Sequence, residues 1–171
     1  MGGDLYALVR APGATRLIIG DARGKGLGAI GDIETVLGAF RFNAHRYCTL
    51  SGLASALESD VRWELGQAHR GDPDEWLGER FVKAAVLEIP DDQLCARLIS
   101  FGHLPLLLLH RGHVTPWKSA PRSLTGPWRP DGDRVAPLTF RFAPGDRLVL
   151  YTDGVTEARD CMGSFYPSWS G

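Results

Sequence analysis

Three aspartates stand beside glycines at the ends of apolar, strand-like runs. Asp4 follows Gly2-Gly3 and opens the run Leu5 to Val9. Asp21 closes the run Thr15 to Gly20 and begins the segment Asp21-Ala22-Arg23-Gly24-Lys25-Gly26. Asp153 closes the run Arg147 to Thr152 and is followed by Gly154. Ala11-Pro12-Gly13 separates the first two runs with a turn signal, so they read as a hairpin with Asp4 and Asp21 near the same end. Carboxylates that close together repel and raise one another's pKa. A bound divalent cation removes the repulsion and keeps both ionised. An all-oxygen ligand set suits Mg²⁺ or Mn²⁺, and the adjacent glycines let a metal, water or phosphate approach the backbone. Asp-Gly and Gly-Asp are also ordinary turn pairs, so each aspartate taken alone is explained better by a turn than by a ligand. Three of them at apolar strand ends bring the two explanations level.

The segment Gly20 to Gly26 invites comparison with a phosphate-binding loop. Only three residues separate Gly20 from Gly24, and Gly26 rather than Ser or Thr follows Lys25, so the Walker signature fails at two points. What survives is an anion held by backbone amides at the start of a following helix, with Arg23 and Lys25 as attracting charges, and hence a nucleotide-binding module as a third functional class. His103, in Phe101-Gly102-His103-Leu104-Pro105, reads as a structural hydrogen-bonding histidine. His45, His69, His110 and His113 show no ligand spacing, and Cys48, Cys95 and Cys161 form no CxxC pair. The cysteines predict neither a disulfide framework nor a thiolate zinc site.

The elements that must position these residues follow from periodicity. Leu5 to Val9 and Thr15 to Gly20 are strands. Ile30, Ile33, Leu37, Phe40 and Ala44 fall on one helical face. A second helix is expected to start at Thr49 or Ser51 and to bury Leu50, Leu53, Ala54, Leu57, Val61 and Leu65. Phe81 to Ile89 and Leu94 to Phe101 flank the turn Pro90-Asp91-Asp92, and Leu104 to His110 and Val114 to Trp117 flank Arg111-Gly112. Lys118 to Pro137 reads as a long proline-rich loop. Leu138 to Phe142 and Arg147 to Thr152 are expected to form a last hairpin around Ala143-Pro144-Gly145-Asp146, followed by a loop-like tail from Asp153. Two strands, two helices and then a run of strands predict an α+β fold with helices packed on antiparallel sheet. A doubly wound fold would alternate.

Composition narrows the partners. The chain has 171 residues, 44% apolar and 23% charged, with a formal net charge of -1. A single domain over 1–171 is expected, and a generic nucleic-acid binder is excluded for want of positive charge. The longest apolar run, Leu104 to Leu109, contains Pro105 and predicts no membrane span. Asp4 and Arg10 interrupt any signal-peptide pattern. A cytoplasmic location is expected.

The segments Gly2-Gly3-Asp4-Leu5-Tyr6, Gly20 to Gly26, Gly102-His103-Leu104-Pro105, and Pro144-Gly145-Asp146 through Tyr151-Thr152-Asp153-Gly154-Val155-Thr156-Glu157-Ala158 occur in that order, with two helices between the second and third. Together they resemble the bacterial SpoIIE/RsbU branch of the PPM (PP2C-like) serine/threonine phosphatases, from Gly2 to about Tyr166. The resemblance implies a PP2C-like αββα sandwich of two antiparallel sheets between helical layers, with a binuclear Mg²⁺ or Mn²⁺ centre at one end of the sheets. It implies that Asp21 bridges the two metals, that the Ala22 carbonyl joins one of them, that Asp4 serves the metal nearer Asp21's strand directly or through water, and that Asp153 binds the other metal. It further implies hydrolysis by metal-activated water without a covalent phosphoenzyme. The implied substrate is phosphoserine or phosphothreonine on a regulatory protein of the anti-sigma-factor antagonist type. The chain departs from the family pattern in places. The strand expected before Gly2 and the final Asp-Asp motif have no counterpart, Lys83 stands where Thr is usual, and Phe101 stands where a small residue is usual. A domain truncated at both ends and a poorly active enzyme are therefore expected. The alternative is an inactive pseudophosphatase or partner-binding module with weak metal binding.

Overall fold

The computed structural model describes residues 3–22, 27–68, 82–118, 124, 136–156, 158–162 and 164. The chain forms β1 (Gly3–Ala11), β2 (Ala14–Ala22), α1 (Leu27–Asn43), α2 (Leu50–Ala68), β3 (Val82–Pro90), β4 (Cys95–Phe101), β5 (Leu106–His110), β6 (His113–Trp117), β7 (Leu138–Arg141), β8 (Arg147–Val149) and α3 (Asp153–Thr156). Strands β1-β2-β3-β4-β7 make a five-stranded sheet and β6-β5-β8 a three-stranded one, all named pairings being antiparallel. The fold is α+β with two packed antiparallel sheets, as expected. Most of the proline-rich loop expected over 118–137 lies outside the described residues. Among the described residues no helix is long and apolar enough to cross a membrane, and all three cysteines are free.

Alternation builds the larger sheet. Leu5, Ala7, Val9 and Ala11 of β1 are buried, while Asp4, Tyr6, Leu8 and Arg10 between them are exposed. The buried side packs under α1 and α2 in a core that includes Ile18, Val36, Phe40, Leu53, Leu57, Val86 and Ile99. The other side of β3, β4 and β7 meets the smaller sheet through Leu87, Leu98, Leu106, Leu108 and Phe140. There the rings of Trp117 and Phe140 stack with centroids 4.8 Å apart and lock β6 over β7. Strand β3 is covered on both faces beyond Lys83, so Ala84 to Glu88 run as a continuous buried stretch.

The helices follow the sequence pattern with one phase error. The Thr49 hydroxyl accepts the Gly52 N–H at 3.1 Å and caps α2, and Leu50, Leu53, Ala54, Leu57 and Val61 are buried beneath it. In α1, Val36, Phe40 and Ala44 are buried, with Ile33 and Leu37 partly so. Ile30 is 53% exposed, contrary to expectation, and Ala29 takes the inward place. The actual stripe is rotated by about one residue because Asp32 and Asn43 are also buried. Asn43 bridges the helices by donating to Asp60 at 2.6 Å and to the Ala39 carbonyl at 2.9 Å.

The expected last hairpin does not form. Leu138–Arg141 pairs with β4 in the larger sheet, whereas Arg147–Val149 pairs with β5 in the smaller one. Ala143 to Asp146 is thus a corner between sheets. Both strands carry alternating apolar residues because both line the same inter-sheet core, one from each side. Asp146 pins the corner. Its carboxylate accepts the Ala143 N–H at 2.8 Å and contacts His110 Nδ1 at 2.6 Å, and these hydrogen bonds hold its pKa below the ordinary 3.8. A carboxylate whose folded pKa is depressed contributes stability above its unfolded pKa and loses it as pH falls through the folded value. Asp146→Asn is therefore expected to destabilise the domain at pH 7, with the difference from the parent vanishing as pH drops below 3.8. Urea unfolding at several pH values measures it. The tail after β8 is likewise not all loop, since Asp153 begins the short helix α3.

Candidate metal centre

Three elements from opposite ends of the chain converge at one end of the sandwich. The β1–β2 register sets Asp4 directly across from Asp21. The β2–β3 register sets Lys83 on the other side of Asp21. Asp153 arrives at the start of α3, just beyond β8. One carboxylate oxygen from each of Asp4, Asp21 and Asp153 lies within 4.8 Å of the others. Asp4 is exposed, and Asp21 and Asp153 are half-buried.

Glycine shapes the floor of this site. A Cβ on Gly20 would overlap the Lys83 carbonyl oxygen, so only glycine lets β2 lie this close to β3 immediately before Asp21. Ala22, the last residue of β2, is 1% exposed and sits between Gly3 of β1 and Val82 of β3. The glycine loop that follows, with Arg23 and Lys25, lies outside the described residues, so the anion-loop expectation is not placed.

The electrostatics are those of a site short of positive charge. The Asp21 pKa is raised, first by burial and then by the charge and hydrogen bond of Asp153 and the charge of Asp4, with Lys83 pulling the other way. Asp21 Oδ1 is buried and has no hydrogen-bond partner among the described residues. A buried carboxylate oxygen without a donor is costly to keep. Three carboxylates around such an atom form a hard-oxygen donor set, which fits Mg²⁺ or Mn²⁺ and no soft metal.

The structure thus brings together all three aspartates picked out from the sequence. It adds two residues whose roles were not read there. Lys83 was noted only as a departure from a family pattern, although its strand position makes it the cross-strand neighbour of Asp21. His103 was read as a structural hydrogen bonder. Its Nδ1 does bond to the Leu104 carbonyl at 3.0 Å, but its Nε2 is buried without a partner among the described residues.

Comparison with known proteins follows from this geometry. Residues 11–168 match the family profile Stage II sporulation protein E (SpoIIE). No curated protein sequence matches significantly. Among solved structures, the SiaA-PP2C domain of Pseudomonas aeruginosa is similar with a TM-score of 0.73 at 17% identity, over 98% of this chain and 62% of that one. The RsbU and RsbW domains of Rv1364c from Mycobacterium tuberculosis give 0.70 at 18% identity, over 92% of this chain and 41% of that one. RsbX in complex with magnesium gives 0.65 at 16% identity, over 91% of this chain and 68% of that one. At these identities the likeness to solved structures establishes the PP2C fold. With the profile covering residues 11–168, the chain belongs to the SpoIIE family and carries the PP2C fold.

Proposed function

We propose that the chain is a metal-dependent protein serine/threonine phosphatase domain. The observation that carries this is the convergence of Asp4, Asp21 and Asp153 from three separate elements, with their oxygens within 4.8 Å. Asp21 would be the central ligand of the cations, and Asp4, the Ala22 carbonyl and Asp153 would complete the set that holds them. Mg²⁺ or Mn²⁺ bound there would lower the pKa of water and neutralise phosphoryl oxygens. The chain's own residues supply the rest. The carboxylates fix the position of the cations, and Lys83, exposed beside Asp21, adds a charge that draws in a phosphate dianion. The substrate we assign is a phosphoserine or phosphothreonine on a regulatory protein of the anti-sigma-factor antagonist type. A similar solved chain carries RsbU and RsbW domains together, which supports that choice. Steady-state hydrolysis of p-nitrophenyl phosphate and of a phosphoserine peptide, with Mn²⁺ titrated into the millimolar range, tests the proposal. Turnover that needs Mn²⁺ is the expected result, and its absence at saturating Mn²⁺ would overturn it.

One observation favours the second possibility, a partner-binding module that holds metal weakly. The Lys83 ammonium acts on Asp21 in the same sense as a bound cation, and so competes with one. Lys83→Thr is expected to tighten Mn²⁺ binding in a calorimetric titration. If it also brings turnover to a parent that has none, the natural chain is the weak-binding module.

A further inference from the structure

The loop that leaves β4 brings His103 to the same end of the sheet as the three aspartates. Gly102 adopts a φ of 72°, a left-handed turn open to glycine, and forms an isolated bridge to Ala84. Ala84 follows Lys83, the cross-strand neighbour of Asp21. The loop is pinned where the His103 N–H donates to Ser100 Oγ at 3.1 Å.

The ring's hydrogen bond decides its tautomer. The Leu104 carbonyl, 3.0 Å from Nδ1, can only accept, so Nδ1 carries the proton. Burial disfavours the imidazolium, and the neutral ring then has its lone pair on Nε2. That nitrogen is buried and unpartnered, and so is Asp21 Oδ1. The Asp153 carboxylate is near enough for its charge to act on the ring. A histidine kept only for packing uses both nitrogens or turns the free one to bulk water. Here two buried acceptors belong to residues at the same end of the sheet, with no donor among the described residues for either. A water held at the carboxylates is the donor that would satisfy Nε2.

We propose that His103 is a positioning residue of the carboxylate site, its Nε2 accepting a hydrogen bond from a water held at Asp21 and Asp153. This rests on the phosphatase reading above. Loss of such an outer partner costs about 10–100-fold in metal affinity or activity. Two variants separate the two nitrogens. His103→Asn keeps an N–H near the Nδ1 position, and so keeps the bond to Leu104, but removes the Nε2 acceptor. His103→Gln presents an amide oxygen near the Nε2 position.

Calorimetric Mn²⁺ affinity and kcat are expected to fall about tenfold in His103→Asn and by less in His103→Gln, with KM and melting temperature little changed in either. Independently of turnover, ¹⁵N-histidine NMR of the metal-free protein is expected to show His103 as the Nδ1–H tautomer. Substoichiometric Mn²⁺ should then broaden its ring signals while sparing those of His45, which follows α1 at the far end of β2. An Nε2–H tautomer, or a His103→Asn variant that binds Mn²⁺ and turns over like the parent, overturns this proposal alone. A parent that binds no Mn²⁺ overturns the metal-centre reading, and this proposal with it.

Discussion

Asp21→Asn is expected to abolish calorimetric Mn²⁺ binding and, with it, turnover. Asp21 lies across from Asp4 on the neighbouring strand and close to Asp153, and its buried Oδ1 has no hydrogen-bond partner among the described residues. Loss of even an outer partner weakens a metal site by up to about 100-fold, so loss of this ligand should exceed that. The stability of the metal-free protein should move the other way. The carboxylate is crowded by burial and by two like charges, and the amide removes that repulsion, so the variant's melting temperature without metal should rise. A variant that binds Mn²⁺ as tightly as the parent would show that the cation sits elsewhere. A variant that melts lower would show that Asp21 is a structural acceptor and not a strained ligand.

The largest loss of stability is expected at Glu88. Its side chain is 3% exposed and holds Arg16, itself 5% exposed, at 2.6 Å. Arg16 Nε also donates to Glu88 at 2.8 Å, and the second Glu88 oxygen accepts from Arg97 at 2.8 Å. Arg16 reaches further, donating to the Ala44 and Tyr47 carbonyls at 2.7 and 2.6 Å, so it satisfies carbonyls that the end of α1 leaves open. Glu88→Ala leaves that guanidinium buried without its counter-charge, a loss of about 3–5 kcal/mol. For a domain of this length that corresponds to a fall of roughly 10 °C in melting temperature. Replacing both partners, as Arg16→Met with Glu88→Leu, should recover much of the loss, because no buried charge is then stranded and the partly exposed Arg97 keeps its bond to Gln93. Equal destabilisation by the single and double variants in urea unfolding would mean that packing, not charge, is what Glu88 supplies.

How much of this was legible in the sequence depended on the distance over which each residue acts. The β1–β2 hairpin and the pairing of Asp4 with Asp21 follow from a two-residue turn and strict alternation, both local signals. The Thr49 cap and the buried face of α2 are local too. The destination of β7 and β8 is not. Pro144-Gly145 announces a change of direction, and nothing nearby says whether the chain returns along its own sheet or crosses to the other. The inward face of α1 was misjudged at Ile30 because burial of Asp32 and Asn43 is decided by a neighbouring helix. Arg16 reads as an exposed polar position in an alternating strand, and its partner Glu88 lies 72 residues away. At the site, the aspartates stood out as types beside glycines. Lys83 and His103 gained meaning only once β3 and the end of β4 were placed beside β2.

The convergence of Asp4 and Asp21 with Asp153 also carries a consequence for biosynthesis. The first two aspartates leave the ribosome about 130 residues ahead of the third. At about 5–20 residues per second, the gap is on the order of 10 s. Through that interval the nascent N-terminal hairpin presents two carboxylates that repel and have no third to close the site. The strand that flanks Asp21 on its other side, β3, begins only after both helices have been made. A cation held by all three carboxylates would therefore be captured only after the chain from Asp4 to Asp153 has been synthesised and folded.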